Sequence, residues 1–141
     1  FYRAELKNTT NTARGDKLKG KNRIQLQVAL GGNNSNNGAF VTAPIQCDGT
    51  KTVTVSFTAA TNRAISANYW IGVTDNGPIT SDWLRDINKI SPHAEGLIPR
   101  SDNVSHSHTF TVTNGQRIMV KVSNTLGEHH LEFADFTYTV E

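Results

Sequence analysis

The sequence predicts an all-β fold, a jelly-roll-like antiparallel β-sandwich of about eight strands with one short helix. Apolar residues recur at every second position in short runs, which is the period of a half-buried strand. Gly, Asn, Asp and Pro separate these runs, and strands do not alternate with helices as they would in a parallel sheet. The 141 residues match the usual size of one domain, so we expect a single β-sandwich domain over residues 1–141.

In the first half of the chain, the alternation predicts five strands. The second is the clearest, since its apolar and polar residues alternate strictly. The third contains Pro44, which cannot donate to a ladder and therefore marks an edge or a bend. In the fifth, Trp70 falls on the face opposite Tyr69, where it is either exposed or covered by a loop. The five runs are Tyr2–Leu6, Ile24–Leu30, Phe40–Cys47, Val53–Phe57 and Ala67–Val73.

The middle of the chain predicts the one helix and a long loop. Apolar residues from Trp83 to Ile90 follow helical spacing, and Pro92 ends the pattern. The Pro, Gly and charged residues between Ser91 and Asn103 are typical of a surface loop.

Alternation returns in the last third, over Val104–Val112 and Ile118–Val122. We predict that these two runs form a hairpin with a three-residue loop at Thr113–Gly115, in which Gly115 is left-handed. This register brings the apolar rows onto one face, because it places Phe110 opposite Ile118 and His108 opposite Val120.

In the final strand, the apolar residues change from odd-numbered to even-numbered positions, so the two halves would face opposite sides of a regular strand. Leu131 and Phe133 are odd-numbered, whereas the later apolar residues, Phe136, Tyr138 and Val140, are even-numbered. A β-bulge near Ala134 and Asp135 would bring both halves onto the same face.

Composition and charge limit the kinds of partner and location that the sequence supports. A net charge of +2 without a basic stripe does not favour a nucleic-acid ligand. No stretch approaches the roughly 20 apolar residues of a membrane span. Cys47 is the only cysteine, which excludes an intrachain disulfide. Many Thr, Asn, Ser and Gly residues, with charged residues at only 18%, favour an extracellular, surface-associated or virion-associated protein.

Four histidines suggest a metal site. His106 and His108 lie two apart on one face of a strand, and His129 and His130 stand at the start of the last strand. Together they would suit zinc, copper or nickel. In the alternative interpretation, His106 and His108 cap the end of the sandwich and their ring nitrogens bond to loop carbonyls.

No motif points to catalysis. The sequence places no nucleophile beside a base and no pair of carboxylates that would divide acid and base roles. We therefore expect a noncatalytic protein that requires no cofactor, apart from the metal ion considered above.

The leading functional hypothesis is an extracellular lectin-like or adhesin-like module that binds a glycan or another cell-surface ligand. Such a site needs an aromatic surface for the sugar ring and amide or carboxylate groups for its hydroxyls, and loops on a rigid sandwich commonly carry binding sites. The candidate ligand-binding residues are Tyr69, Trp70, Asn33, Asn34, Asn36, Asn37, Asp75 and Asn76.

A structural role is the second hypothesis. Threonine-rich strands with few edge-blocking charges can pair with a neighbouring subunit through exposed backbone. The partner would then be a second copy of the chain, in a homo-oligomer such as a pilus, a filament or a capsid.

Overall fold

A computed structural model of the protein describes residues 2–4, 23–28, 38–61, 67–75, 91–98, 104–123 and 129–141. Nine strands and no helix lie within these ranges. The strands are β1 (Tyr2–Ala4), β2 (Arg23–Val28), β3 (Gly38–Val41), β4 (Lys51–Thr61), β5 (Ala67–Thr74), β6 (Ser91–Ile98), β7 (Val104–Val112), β8 (Arg117–Ser123) and β9 (His129–Val140).

The strands form two antiparallel sheets. One has five strands in the order β1-β3-β8-β5-β6, and the other has four in the order β2-β9-β4-β7. The predicted all-β antiparallel sandwich is confirmed, whereas the count of about eight strands is not. The predicted helix, from Trp83 to Ile90, lies outside the described residues. The described part of the chain also contains no helix long and apolar enough to cross a membrane.

Alternate residues of the central strands fill the space between the sheets. In β4, Val53, Val55 and Phe57 are at most 3% exposed, and the even-numbered residues between them are more accessible. Aromatic rings occupy the middle of the core, where the Phe40 ring lies 5.2 Å from that of Phe133. Burying each large apolar side chain contributes about 1.5–3 kcal/mol, so this core is the main source of stability.

Strands β7 and β8 lie in different sheets, so the predicted hairpin is wrong. β7 pairs with β4, and β8 pairs with β3 and β5. The intervening turn crosses from one sheet to the other, and Gly115 is left-handed there, as predicted, with φ +91°. Both apolar rows still face the interior, but from opposite sides. Alternation indicates which face of a strand is buried and does not indicate which strand pairs with it.

The predicted β-bulge in the last strand is confirmed. The register between β4 and β9 shifts between Ser56 and Thr58. Among the described non-glycine residues, Asp135 has a positive φ, at 54°. On either side of it, Phe133 is buried and Phe136 packs against the same core. One extra residue in β9 therefore brings two opposite phases onto one face.

Strand β6 replaces the first part of the predicted surface loop. Ser91–Ile98 pairs with β5 along one edge of the five-stranded sheet. The register shifts between Ile71 and Gly72, and Gly72 lies opposite Pro92. An edge strand with a bulge tolerates a proline, so the residue that signalled a loop in the sequence occupies a strand.

Gly96 gives the Tyr69 side chain room to lie across β6. The two residues are paired, and a Cβ built on Gly96 would overlap the Tyr69 ring. Tyr69 is 1% exposed, so its ring has little freedom to move away. Glycine is needed here because of this close approach.

We expect Gly96→Ala to lower the free energy of unfolding by about 1–3 kcal/mol, the usual range for overpacking. Urea unfolding of both proteins measures this loss. The control is the same change in a Tyr69→Ala background, where the added methyl group meets open space and the loss should largely disappear. An equal loss in both backgrounds would show that the Tyr69 ring is not the cause.

Candidate functional site

Trp70 lies on the outer face of the five-stranded sheet. Its neighbours along β5, Tyr69 and Ile71, point into the core and are at most 1% exposed. Trp70 itself is only partly buried. The predicted opposition of Tyr69 and Trp70 is therefore confirmed, and the indole is accessible from solvent.

Two polar side chains share this outer face with Trp70. Glu95 of β6 is the cross-strand partner of Trp70, and Asn68 lies two residues away along β5. Both are exposed. Paired residues have Cβ atoms about 4.5–5.5 Å apart, and residues i and i+2 of a strand are about 7 Å apart. We call Asn68, Trp70 and Glu95 the Trp70 surface.

Lys121 is the neighbour of Trp70 on the side of β5 away from Glu95. It is the partner of Trp70 on β8, and it is fully buried. The row across the sheet therefore runs from a buried lysine through a partly buried indole to an exposed carboxylate. Chemically, this row offers an apolar ring face next to groups that donate and accept hydrogen bonds.

The structure separates Tyr69 from the other predicted ligand-binding residues. Tyr69 belongs to the core and not to the Trp70 surface, which corrects its predicted role. Asp75 directly follows β5 and is exposed. The remaining predicted ligand-binding residues, Asn33, Asn34, Asn36, Asn37 and Asn76, lie outside the described residues.

Sequence reasoning missed Asn68 and Glu95. Asn68 could have been found from the alternation that exposes Trp70, because it lies two residues earlier on the same strand. Glu95 could not, since its place beside Trp70 depends on the pairing of β5 with β6.

His106 and His108 join the two sheets through Tyr69. The Tyr69 hydroxyl oxygen lies 2.9 Å from His106 Nδ1 and 2.6 Å from His108 Nε2. A phenol has one proton, so it donates to one imidazole and accepts from the N–H of the other. The Phe57 ring stacks on both imidazoles, with centroid distances of 5.2 and 6.3 Å. The predicted shared face is confirmed, and the Tyr69 hydroxyl is a bonding partner of both imidazoles.

Burial changes the acid–base behaviour of this network. It raises the pKa of Tyr69 to about 12, because a phenolate is poorly solvated there. Burial also lowers the pKa of His106, and the neighbouring His108 lowers it further. His106 Nε2 is shielded from solvent and has no hydrogen-bond partner among the described residues, so a second proton on this ring would be poorly stabilised.

The strand register separates the backbone positions of His106 and His108 from those of His129 and His130. His106 lies opposite Phe57 on β4, whereas His129 and His130 precede Leu131, which lies opposite Thr61. At about 3.3 Å per residue, the backbone positions of His106 and His130, the nearest members of the two pairs, are about 17 Å apart along the strands. Among the residues that the structure describes, no group of three or more His, Cys, Asp or Glu side chains could hold a metal ion.

Solved structures that resemble the chain include a CBM4 structure and an adhesin domain. A CBM4 structure aligns with a TM-score of 0.57 and 13% identity, over 99% of this chain and 94% of that one. The K3 cleaved adhesin domain of Lys-gingipain from Porphyromonas gingivalis W83 aligns with a TM-score of 0.52 and 13% identity. That alignment covers 74% of this chain, which spans 65% of the adhesin domain's length. No protein-family model and no curated protein matches the sequence. At this identity, the similarities establish the fold alone.

We expect the stability of the protein to fall as the pH drops below about 6.5, the ordinary pKa of histidine. In that range the unfolded chain takes up a proton at His106 and the folded chain does not. The stability contributed by neutral His106 is thus complete above about pH 6.5 and is lost as the pH falls towards the lowered pKa of the folded state.

Urea unfolding of wild type and His106→Asn across about pH 7.5 to 5 measures this contribution. The difference in slope between the two proteins isolates His106 from the other titrating groups. Thr109→Ala, an outward change on the same strand, is the control and should keep the wild-type slope. Identical slopes for His106→Asn and wild type would contradict the assignment.

Proposed function

We propose that this chain is a noncatalytic glycan-binding module, and that the Trp70 surface contacts the sugar. The observation that carries the proposal is the accessible indole with an exposed amide and an exposed carboxylate on the same sheet face. The apolar face of a pyranose ring packs on an aromatic side chain, while its hydroxyl groups need donors and acceptors at the edge of that ring.

The structural neighbours support this interpretation. A carbohydrate-binding module and an adhesin domain share the two-sheet fold. Fold similarity alone does not assign function, so the proposal depends on the Trp70 surface. The neighbours indicate that carbohydrates are the first class of ligand to test. Lectin-like or adhesin-like activity at an extracellular location is part of the same proposal.

The chemistry of the surface favours binding over hydrolysis. Glycoside hydrolysis ordinarily uses two carboxyl groups that flank the scissile bond. The Trp70 surface has one, Glu95, and its other members are an indole and an amide. A single carboxylate can accept hydrogen bonds from sugar hydroxyls without dividing acid and base roles.

Screening the purified protein on an oligosaccharide array tests the proposal, and isothermal titration calorimetry then measures the affinity for each sugar that binds. We expect Trp70→Ala to weaken binding at least tenfold, which corresponds to about 1.4 kcal/mol, because central tryptophans often contribute more than this. Trp70→Phe should retain part of the affinity, and Glu95→Gln should weaken binding by a smaller factor.

Tyr138→Ala is the matched control, since Tyr138 is another accessible aromatic residue, 37% exposed, and belongs to the other sheet. It should leave the affinity unchanged. Light scattering on the same samples distinguishes the structural alternative. Large polymers that bind no sugar would argue against the module and in favour of a self-assembling subunit.

A further inference from the structure

The two charged neighbours of Trp70 differ in accessibility. Glu95 belongs to β6, the outermost strand on its side of the sheet, and is exposed. Lys121, across β5 from Glu95, is fully buried. A ligand that lies on the Trp70 surface can therefore contact the carboxylate but not the ammonium group of the lysine. Within the described part of the chain, the charge that such a ligand meets beside the indole is negative.

The side chains of the Trp70 surface are available to a ligand. Among the residues that the structure describes, no ion pair or side-chain hydrogen bond engages the Glu95 carboxylate, and no ring packs on the Trp70 indole. The aromatic residues of the core differ in this respect, since the Phe57 ring contacts several others. A ligand would therefore not need to displace another described side chain from the indole or the carboxylate.

The indole and the carboxylate attract the same kind of group. The face of an aromatic ring carries the negative part of its quadrupole, and tryptophan is the best of the aromatic residues at binding a cation. Because paired residues have Cβ atoms about 4.5–5.5 Å apart, a cation that contacts Glu95 can also lie within about 6 Å of the Trp70 ring, the range of a cation–π interaction. Both groups therefore favour a positively charged ligand.

The buried lysine does not cancel this attraction. Lys121 and Glu95 are two strands apart, which is about 9–10 Å. Coulomb energy varies inversely with distance, so a cation about 3 Å from the carboxylate is attracted about three times as strongly as a lysine about 9 Å away repels it. A cation at the Glu95 side of the indole is therefore favoured over one at the Lys121 side.

Sugars differ in how well they match this surface. Uronic acids and sulfated sugars carry negative charges, which the carboxylate repels. The hydroxyl groups of a neutral sugar form ordinary hydrogen bonds with a carboxylate. An ammonium group forms charge-assisted hydrogen bonds, which are about twice as strong as bonds between neutral groups, and it compensates the charge of Glu95.

We propose that the Trp70 surface selects an amino sugar, whose ring packs on Trp70 and whose ammonium group donates hydrogen bonds to Glu95. The proposal rests on the glycan-binding function proposed above and names the class of glycan. The amide of Asn68, two residues from Trp70 on the same face, donates to or accepts from a hydroxyl group of the sugar.

Calorimetric titration with a β-1,4-linked glucosamine tetramer tests the proposal at about pH 6, where the carboxylate is ionised and the amines are largely protonated. The matched probe is the glucose tetramer of the same linkage, in which a hydroxyl group replaces each ammonium group. We expect the wild type to bind the charged tetramer about fivefold more tightly, since exposed ion pairs and exposed cation–π contacts are each modest. Added salt should reduce this preference through screening.

Glu95→Gln removes the charge and keeps a side chain that forms hydrogen bonds, so it should abolish the preference for the charged tetramer. Glu95→Lys should reverse the preference, because it places a cation beside the indole. Glu141→Gln is the matched control. It removes the same charge from an exposed position after β9, in the other sheet, and should keep the wild-type preference. This control separates the local effect of Glu95 from that of net charge.

Equal affinity of the wild type for the two tetramers would overturn the selection of amino sugars, as would a preference that persists in Glu95→Gln or no binding of the glucosamine tetramer. The glycan-binding proposal is judged separately, by the array sugars and Trp70→Ala. A neutral sugar that requires Trp70 but binds equally well to Glu95→Gln would support that proposal and contradict this one. If Trp70→Ala left the binding of every sugar unchanged, both would be wrong.

Discussion

Both sheets must keep their apolar side chains directed at the same interior, and the rest of the structure depends on this constraint. A shift of one residue in any strand would exchange its core residues for its surface residues. Most strands satisfy the constraint by simple alternation. β9 contains two opposite phases and satisfies it through the bulge at Asp135, which buries Phe133 and packs Phe136 against the same core.

The same constraint explains the polar contact between the sheets. Tyr69, His106 and His108 occupy inward positions, so their polar atoms must find partners inside the sandwich. The Tyr69 hydroxyl provides a partner for each imidazole, and Phe57 packs against both rings. Gly96 leaves room for the phenol ring to reach across. These polar groups therefore connect the sheets where aliphatic side chains would otherwise do so.

The face of a strand on which each side chain lies could be predicted from the sequence far better than the pairing of the strands. The inward face of β4, the outward position of Trp70 and the bulge in β9 all follow from local patterns of period two. The partners of β7 and β8 do not, because two strands that face each other across a core have the same apolar pattern as two strands in a hairpin. Because Pro92 indicated a loop, the sequence did not predict β6 or the position of Glu95 beside Trp70. Trp70 and Asn68 were therefore accessible to sequence reasoning, whereas Glu95 was not.

Because the large core between the sheets is built from inward positions, the exposed parts of the two outer faces can differ in chemistry without affecting it. One presents an indole with an amide and a carboxylate, and the other presents rows of hydroxyl groups with one carboxylate at the bulge. The core influences the outer face of the four-stranded sheet, because the bulge that brings both halves of β9 onto the core places Asp135 on the exterior. A structural requirement of the interior thus determines where a charge stands on the exterior.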